Sequence, residues 1–320
     1  MDKIKNSLPY LILKTARPRQ WIKNFALYAA LIFSGFFFYN PSDSLSYFSI
    51  VTIAFVIFSL LTSGIYIIND VIDADSDRQH PFKKKRPIAS GKLPIPVAIF
   101  SATVLIMIVF FTSFWLPNFF KILLGTYFVL QITYAKYTKH IPILDVVSIA
   151  TGFLIRIYAG AVVVNLHMSV WFLLTVISAS LFLAVGKRQS ERTLLQGQNG
   201  LGATRKTLKR YSQRLLDQYT SMFANATWLT YALFTFQNES IHPPESLTNL
   251  YVWLPRSFQS TKLLMLTVPL VILGVMRYLQ LIYENNQGES PEKVLIGDKP
   301  LLFTGSFFII MVMFIIYGLG

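Results

Sequence analysis

Asn69-Asp70-Val71-Ile72-Asp73-Ala74-Asp75-Ser76-Asp77-Arg78 follows directly on an apolar run, Ile50 to Ile68, and precedes the basic cluster Lys83-Lys84-Lys85-Arg86. An apolar run of about 20 residues is the length that crosses a bilayer as a helix. Four Asp and an Asn within nine residues are costly to hold beside hydrocarbon without a partner. Asn69, Asp73 and Asp77 are spaced i, i+4, i+8, so a helix places their oxygens on one face. Hard oxygen ligands on one face, opposite a cluster of cations, suit a Mg2+-bridged phosphate group. The bland alternative is a solvated acidic face capping a loop. Helical spacing at the end of an apolar segment favours the metal and diphosphate reading.

The rest of the chain agrees with a membrane setting. Of 320 residues, 53% are hydrophobic and only 14% are charged, against about 25% charged in a soluble domain. Repeated apolar runs predict an all-α polytopic membrane protein, a single integral domain over 1–320. The short alternating strands of a closed barrel are absent from the pattern. With no cysteine, disulfides, haem attachment and Cys-bound zinc are excluded. The N-terminal segment 1–21 reads as a cytoplasmic amphipathic stretch rather than a cleaved signal peptide.

Candidate spans are 22–39, 47–68, 95–115, 119–135, 143–164, 169–186, 217–236, 262–282 and 300–318, nine helices in all. Loops at 187–216 and 237–261 are long enough for structure of their own. If the N-terminus is cytoplasmic, 25 of the 29 Lys and Arg fall on the cytoplasmic side and three on the other, with Arg156 inside a helix. The positive-inside rule then fixes the orientation. In a soluble protein a net charge of +14 would suggest nucleic acid. Distributed this way, it is a membrane and phosphate signal.

Three further clusters face the cytoplasm under this orientation and are candidates to converge with the acidic motif. Arg17-Pro18-Arg19-Gln20-Trp21-Ile22-Lys23-Asn24 leads into the first span and also fits an interfacial anchor. Tyr134-Ala135-Lys136-Tyr137-Thr138-Lys139-His140 is followed by Asp145. Gly186-Lys187-Arg188-Gln189-Ser190-Glu191 ends the sixth span, where Lys187 and Glu191 stand at pairing distance along a helix. Arg156 lies deep in Gly152–Gly160, at an insertion cost of roughly 2.5–3.5 kcal/mol. It is expected to face the interior and meet an anion or a carboxylate such as Asp145.

Taken in order, these residues resemble the UbiA superfamily of intramembrane prenyltransferases, whose first aspartate-rich motif matches Asn69, Asp73 and Asp77. The resemblance is nearer to one branch, the decaprenyl-phosphate phosphoribosyltransferases. Its motifs match Arg17–Asn24, Arg78, His80-Pro81, Arg86–Ala89, Tyr134, Lys139-His140, Asp145, Gly152–Gly160 and Gly186-Lys187-Arg188 with Glu191. Where aromatic prenyltransferases carry a second aspartate-rich motif, this chain has Lys187-Arg188 and Glu191. One acidic motif suffices for one metal-bound diphosphate, and the cations suit further phosphates.

The resemblance implies a Mg2+-dependent transfer of 5-phosphoribose from 5-phosphoribosyl 1-diphosphate to a polyprenyl phosphate, at the cytoplasmic face of a bacterial cell membrane. Asn69, Asp73 and Asp77 would hold the metal, with Asp73 and Asp77 catalytic. Lys83 and Arg86 would clamp the diphosphate or the 5-phosphate. Lys23, Lys139, Lys187 and Arg188 would take the remaining phosphates. Arg78, Tyr134, Arg156 and Glu191 complete the expected substrate-binding set. The rival readings are a prenyltransferase acting on an aromatic or lipid acceptor, and an anionic-solute transporter with Arg156 at its midplane.

Overall fold

A computed structural model describes residues 7–42, 45–79, 83–196, 211–238, 262–284, 294 and 297–319, and among these the only regular elements are helices. They are α1 (Leu8–Ala16), a 3₁₀ stretch (Pro18–Leu27) running into α2 (Tyr28–Phe33), α3 (Tyr47–Ile72), α4 (Ala74–Gln79), α5 (Ile95–Ser113), α6 (Asn118–Lys136), α7 (Leu144–Val163), α8 (Val170–Gln196), α9 (Gln213–Gln237), α10 (Val268–Tyr283) and α11 (Lys299–Met313). The protein is an all-α, multi-pass membrane protein. Among the described residues, six segments are long and apolar enough to cross a bilayer: Tyr47–Ile72, Ile95–Ser113, Leu144–Val163, Val170–Arg192, Leu263–Tyr283 and Lys299–Gly318. Helices α6 and α9 have the length but carry more polar residues, among them Gln131 and Asp217.

Two expectations are corrected. The first span is not one helix over 22–39; it is broken into the 3₁₀ stretch and α2, which ends at Phe33. A 3₁₀ run of ten residues is uncommon on its own, and here tertiary contacts hold it. Trp21 Nε1 donates to Ser63 Oγ at 2.9 Å and Asn24 Nδ2 to Ser59 Oγ at 2.9 Å. Gly160 of α7 lies so close that a Cβ there would overlap the Leu27 carbonyl. The sixth span continues past 186 to Gln196, so the first part of the expected 187–216 loop is helix, and Lys187 and Glu191 stand on it at their i, i+4 spacing. The His80-Pro81 match, residues 197–210 of the 187–216 loop and residues 239–261 of the 237–261 loop lie outside the described residues.

The chain divides into two compact units. The first comprises residues 1–29, 38–166 and 200–210, and the second 30–37, 167–199 and 211–320. In the first, α3 begins at the capping side chain of Ser46, whose Oγ accepts from Ser49 N. Its 26 residues extend about 39 Å at 1.5 Å each, beyond the ~30 Å of hydrocarbon. At that length the helix has turns to spare, and Asn69 and Asp70 lie in its last turn. There Leu11, Ile67, Ala74, Ile88, Leu93 and Ala98 form a buried apolar cluster beneath the charged residues.

In the second unit, Phe182, Ala224, Tyr278, Leu281, Ile282 and Leu301 form a core of α8, α9, α10 and α11 residues. Asp298 caps α11 by accepting from Leu301 N and takes Nε and Nη2 of Arg277 at 3.1 and 2.6 Å. The guanidinium holds its carboxyl below the ordinary carboxylate range. Tyr317, in the π-helical turn after α11, donates to the carbonyls of Leu31 and Ile32 at 3.0 Å and accepts from Phe37 N at 3.2 Å.

Candidate active site

The motif that opened the sequence stands at the end of α3, and the helix breaks inside it. α3 ends at Ile72, Asp73 occupies the break at φ −89° and ψ 2°, and α4 begins at Ala74. The break does not lose the pitch. Asp73 N donates to Asn69 O at 2.9 Å and Asp77 N to Asp73 O at 2.8 Å. The i, i+4, i+8 relation therefore survives a change of helix.

Each carboxylate has a cation. Asp73 Oδ1 accepts from Lys139 Nζ at 2.7 Å, with Lys139 presented by the 3₁₀ turn Thr138–His140. Asp77 Oδ2 accepts from Arg86 Nη1 at 2.6 Å, and the same nitrogen reaches Asp70 Oδ1 at 3.1 Å. Asp70 also accepts from Nη2 of Arg17, whose guanidinium carbon lies 5.2 Å from the centre of the Tyr66 ring. Asp70 and Asp77 are each 3% exposed. Ions this buried persist only when paired. Arg17, Asp70, Arg86 and Asp77 thus form one chain of ion pairs at the end of α3, and Lys139 with Asp73 forms a separate pair, the six side chains coming from four segments of the first unit.

Asn69 behaves differently. Its Oδ1 is buried and accepts no hydrogen bond among the described residues, a state that costs about 1–3 kcal/mol for an ordinary polar group. No three Asp, Glu or His side chains among the described residues group so as to hold a metal unaided, because Asp73 and Asp77 are turned to Lys139 and Arg86. What the end of α3 offers is two carboxylates and one unsatisfied amide oxygen. That donor set fits Mg2+, which takes one or two carboxylates and completes its octahedron with water and substrate phosphates.

The other predicted residues fall into three groups. Arg78 donates to Asp75 at 3.1 Å, an exposed pair on α4. Lys83 is half-buried in the short 3₁₀ turn Lys83–Lys85, Tyr134 is half-buried in the last turn of α6, and Lys23 is half-buried on the 3₁₀ stretch after Pro18. Arg156 is buried, and the carboxylate expected for it is replaced by neutral groups. Its Nε donates to Asn24 Oδ1 at 2.9 Å, Nη1 to Gly152 O at 2.9 Å and Nη2 to the Tyr127 hydroxyl at 2.5 Å. The rings of Tyr127 and Phe153 lie 4.8 and 5.3 Å away, a favourable seat for a desolvated cation.

Lys187, Arg188 and Glu191 belong to the second unit. Arg188 is 1% exposed and donates to Glu191 Oε2 at 2.7 Å. The next residue, Gln189, belongs to a network that sequence reasoning misses. Asp217 Oδ1 accepts from Gln189 Nε2 at 3.0 Å, Gln213 Nε2 at 3.1 Å and the Tyr283 hydroxyl at 2.9 Å. An acid one turn into the apolar helix α9 is the available signal. Asp70 and Arg17 join the site only in three dimensions, since Asp70 falls off the i, i+4, i+8 face.

The sequence profile of the UbiA prenyltransferase family matches residues 26–310. The chain belongs to this family. It is 33% identical to the decaprenyl-phosphate phosphoribosyltransferase of Corynebacterium glutamicum over 91% of this chain and 82% of that one. It is 34% identical to the protein of the same name from Mycolicibacterium smegmatis, over 91% and 87%. Among solved structures, a UbiA homolog from Archaeoglobus fulgidus bound to GPP and Mg2+ superposes with a TM-score of 0.66 at 18% identity, covering 96% of this chain and 99% of that one. The shared fold agrees with the helical, membrane-spanning architecture described above.

Proposed function

We propose that the protein transfers 5-phosphoribose from 5-phosphoribosyl 1-diphosphate to a polyprenyl phosphate, with release of diphosphate, at the cytoplasmic face of a bacterial membrane. The observation that carries the reading is the end of α3, where Asp73 and Asp77 are each held by a cation while Asn69 Oδ1 is buried and unsatisfied. The identity of the substrates is supported by the two phosphoribosyltransferases to which nearly the whole chain is similar.

In this reading Asn69, Asp73 and Asp77 would hold a divalent cation for the donor diphosphate. The cation supplies charge stabilisation to the leaving group as the bond to the ribose breaks. Lys139 and Arg86, losing Asp73 and Asp77 as partners, would be able to hold phosphate oxygens by charge-assisted hydrogen bonds, Arg86 keeping its bond to Asp70. Lys83 and Lys23 are further phosphate contacts. On the second unit, Lys187 and Arg188 are candidates for another phosphate group on the strength of the resemblance. A lipid phosphate is already ionised near neutral pH, so the residues need only position it, and orientation and electrostatics carry the rate.

The experiment is a parallel incubation of purified protein in detergent. One arm contains labelled phosphoribosyl diphosphate with and without polyprenyl phosphate, and the other contains labelled prenyl diphosphate with an aromatic acid. Consumption of phosphoribosyl diphosphate only when polyprenyl phosphate is present is the expected result. Consumption of the prenyl diphosphate alone replaces the proposal with the aromatic prenyltransferase reading.

A further inference from the structure

Of the three paired carboxylates Asp70, Asp73 and Asp77, Asp70 has no place in the donor set proposed for the metal. It nevertheless accepts from both arginines, Arg17 and Arg86, on one oxygen, Oδ1. Arg86 Nη1 is shared between Asp70 and Asp77. If Asp77 turns to a divalent cation, Arg86 loses one partner and keeps the other. Arg17 is fixed by Asp70 and by the Tyr66 ring, and its backbone sits in the left-handed region at φ 53° between α1 and the 3₁₀ stretch. A non-glycine residue keeps that conformation when its surroundings hold it there.

We propose that Asp70 is a positioning residue: it pins the guanidiniums of Arg17 and Arg86 side by side as a fixed fork for the diphosphate, and retains Arg86 when Asp77 is surrendered to the metal. Arg17 thereby becomes a substrate contact in its own right. The division of labour among the carboxylates follows from charge. Asp73 and Asp77 exchange a cationic side chain for a metal ion when the site fills. Asp70 stays paired throughout, so the arginines are aimed before the ligand arrives and need no reorganisation when it binds. The inference rests on the proposed reading of this cluster as a diphosphate site.

The test is equilibrium binding of inorganic diphosphate to the full-length protein in detergent, as a function of Mg2+ concentration. Asp70→Asn is expected to weaken diphosphate binding roughly ten- to a hundredfold, the usual range for groups supporting a metal site from behind its ligands. The Mg2+ concentration that half-supports binding should stay at the wild-type value, whereas Asp77→Asn should raise it. Asp70→Glu, which keeps the charge, should recover part of the loss. Arg17→Gln should reproduce the weakened binding and serves as the deciding variant if Asp70→Asn does not fold. Wild-type diphosphate affinity in either folded variant overturns the proposal. So does a shift in Mg2+ dependence in Asp70→Asn equal to that of Asp77→Asn, which would make Asp70 a ligand, and so does a wild type that binds no diphosphate. A wild type that binds Mg2+ and diphosphate but does not turn over phosphoribosyl diphosphate refutes the proposed substrate and leaves the fork standing.

Discussion

Asp73 and Asp77 differ from the exposed Asp75 in what they face. Asp75 meets Arg78 at the surface, with side chains 92% and 52% exposed, where an ion pair contributes little. Asp73 and Asp77 meet Lys139 and Arg86 at the end of a span. Asp73→Ala and Asp77→Ala are each expected to lower turnover by at least about a hundredfold, with the protein still folded in the membrane. Excess chelator should silence the wild type likewise, and full activity in chelator would remove the metal from the site. Arg156 makes the opposite prediction. With its donors on Asn24, Tyr127 and Gly152, Arg156→Lys replaces a planar fork with a point charge. Thermal unfolding in detergent should show a loss of about 1–3 kcal/mol, with activity per folded molecule retained. Inactivity at unchanged stability would return Arg156 to the substrate.

At the level of elements, the 3₁₀ stretch owes its position to one missing side chain. Gly160 lets α7 approach the Leu27 backbone where a Cβ would overlap it, and the overlap is with backbone, which cannot rotate aside. Gly160→Ala should therefore destabilise by about 3 kcal/mol or more and sharply reduce the folded yield by size-exclusion chromatography. Gly125, where an added methyl group would meet nothing within 4 Å, is the control. Gly125→Ala should be neutral or stabilising by up to about 1 kcal/mol. Equal behaviour of the two variants would mean that helix propensity, and not the close approach, governs both. The spans themselves are legible in the sequence because hydropathy at helical length is a local property. The broken first span is not. Its 3₁₀ geometry is imposed by Ser63, Ser59 and Gly160, partners that lie far along the chain.

For the whole molecule, the charge pattern makes a topological prediction. With 25 of 29 Lys and Arg assigned to one side, reporter fusions after Gly91 and after Gly320 should give opposite signals, the first cytoplasmic. Matching signals would break the span count or the orientation. The candidate site is legible as far as its acidic residues, because Asn69, Asp73 and Asp77 announce themselves by spacing. Their partners can be guessed as a class of cations but not assigned, since Lys139 stands 66 positions from Asp73 and Arg17 stands 53 from Asp70. The Asp217 network escapes for the same reason. One long-range tie also bears on how the chain is made. Tyr317 joins the carbonyls of Leu31 and Ile32 across more than 280 residues. Leu31 O already accepts from Ser34 Oγ three residues on, at 2.8 Å, but the Tyr317 bond to Ile32 O must wait through nearly the whole course of translation. Until the ribosome has delivered Tyr317, the outgoing end of the first span lacks this long-range tie, and the insertion machinery holds a chain whose early segment is still to be joined to its last helix.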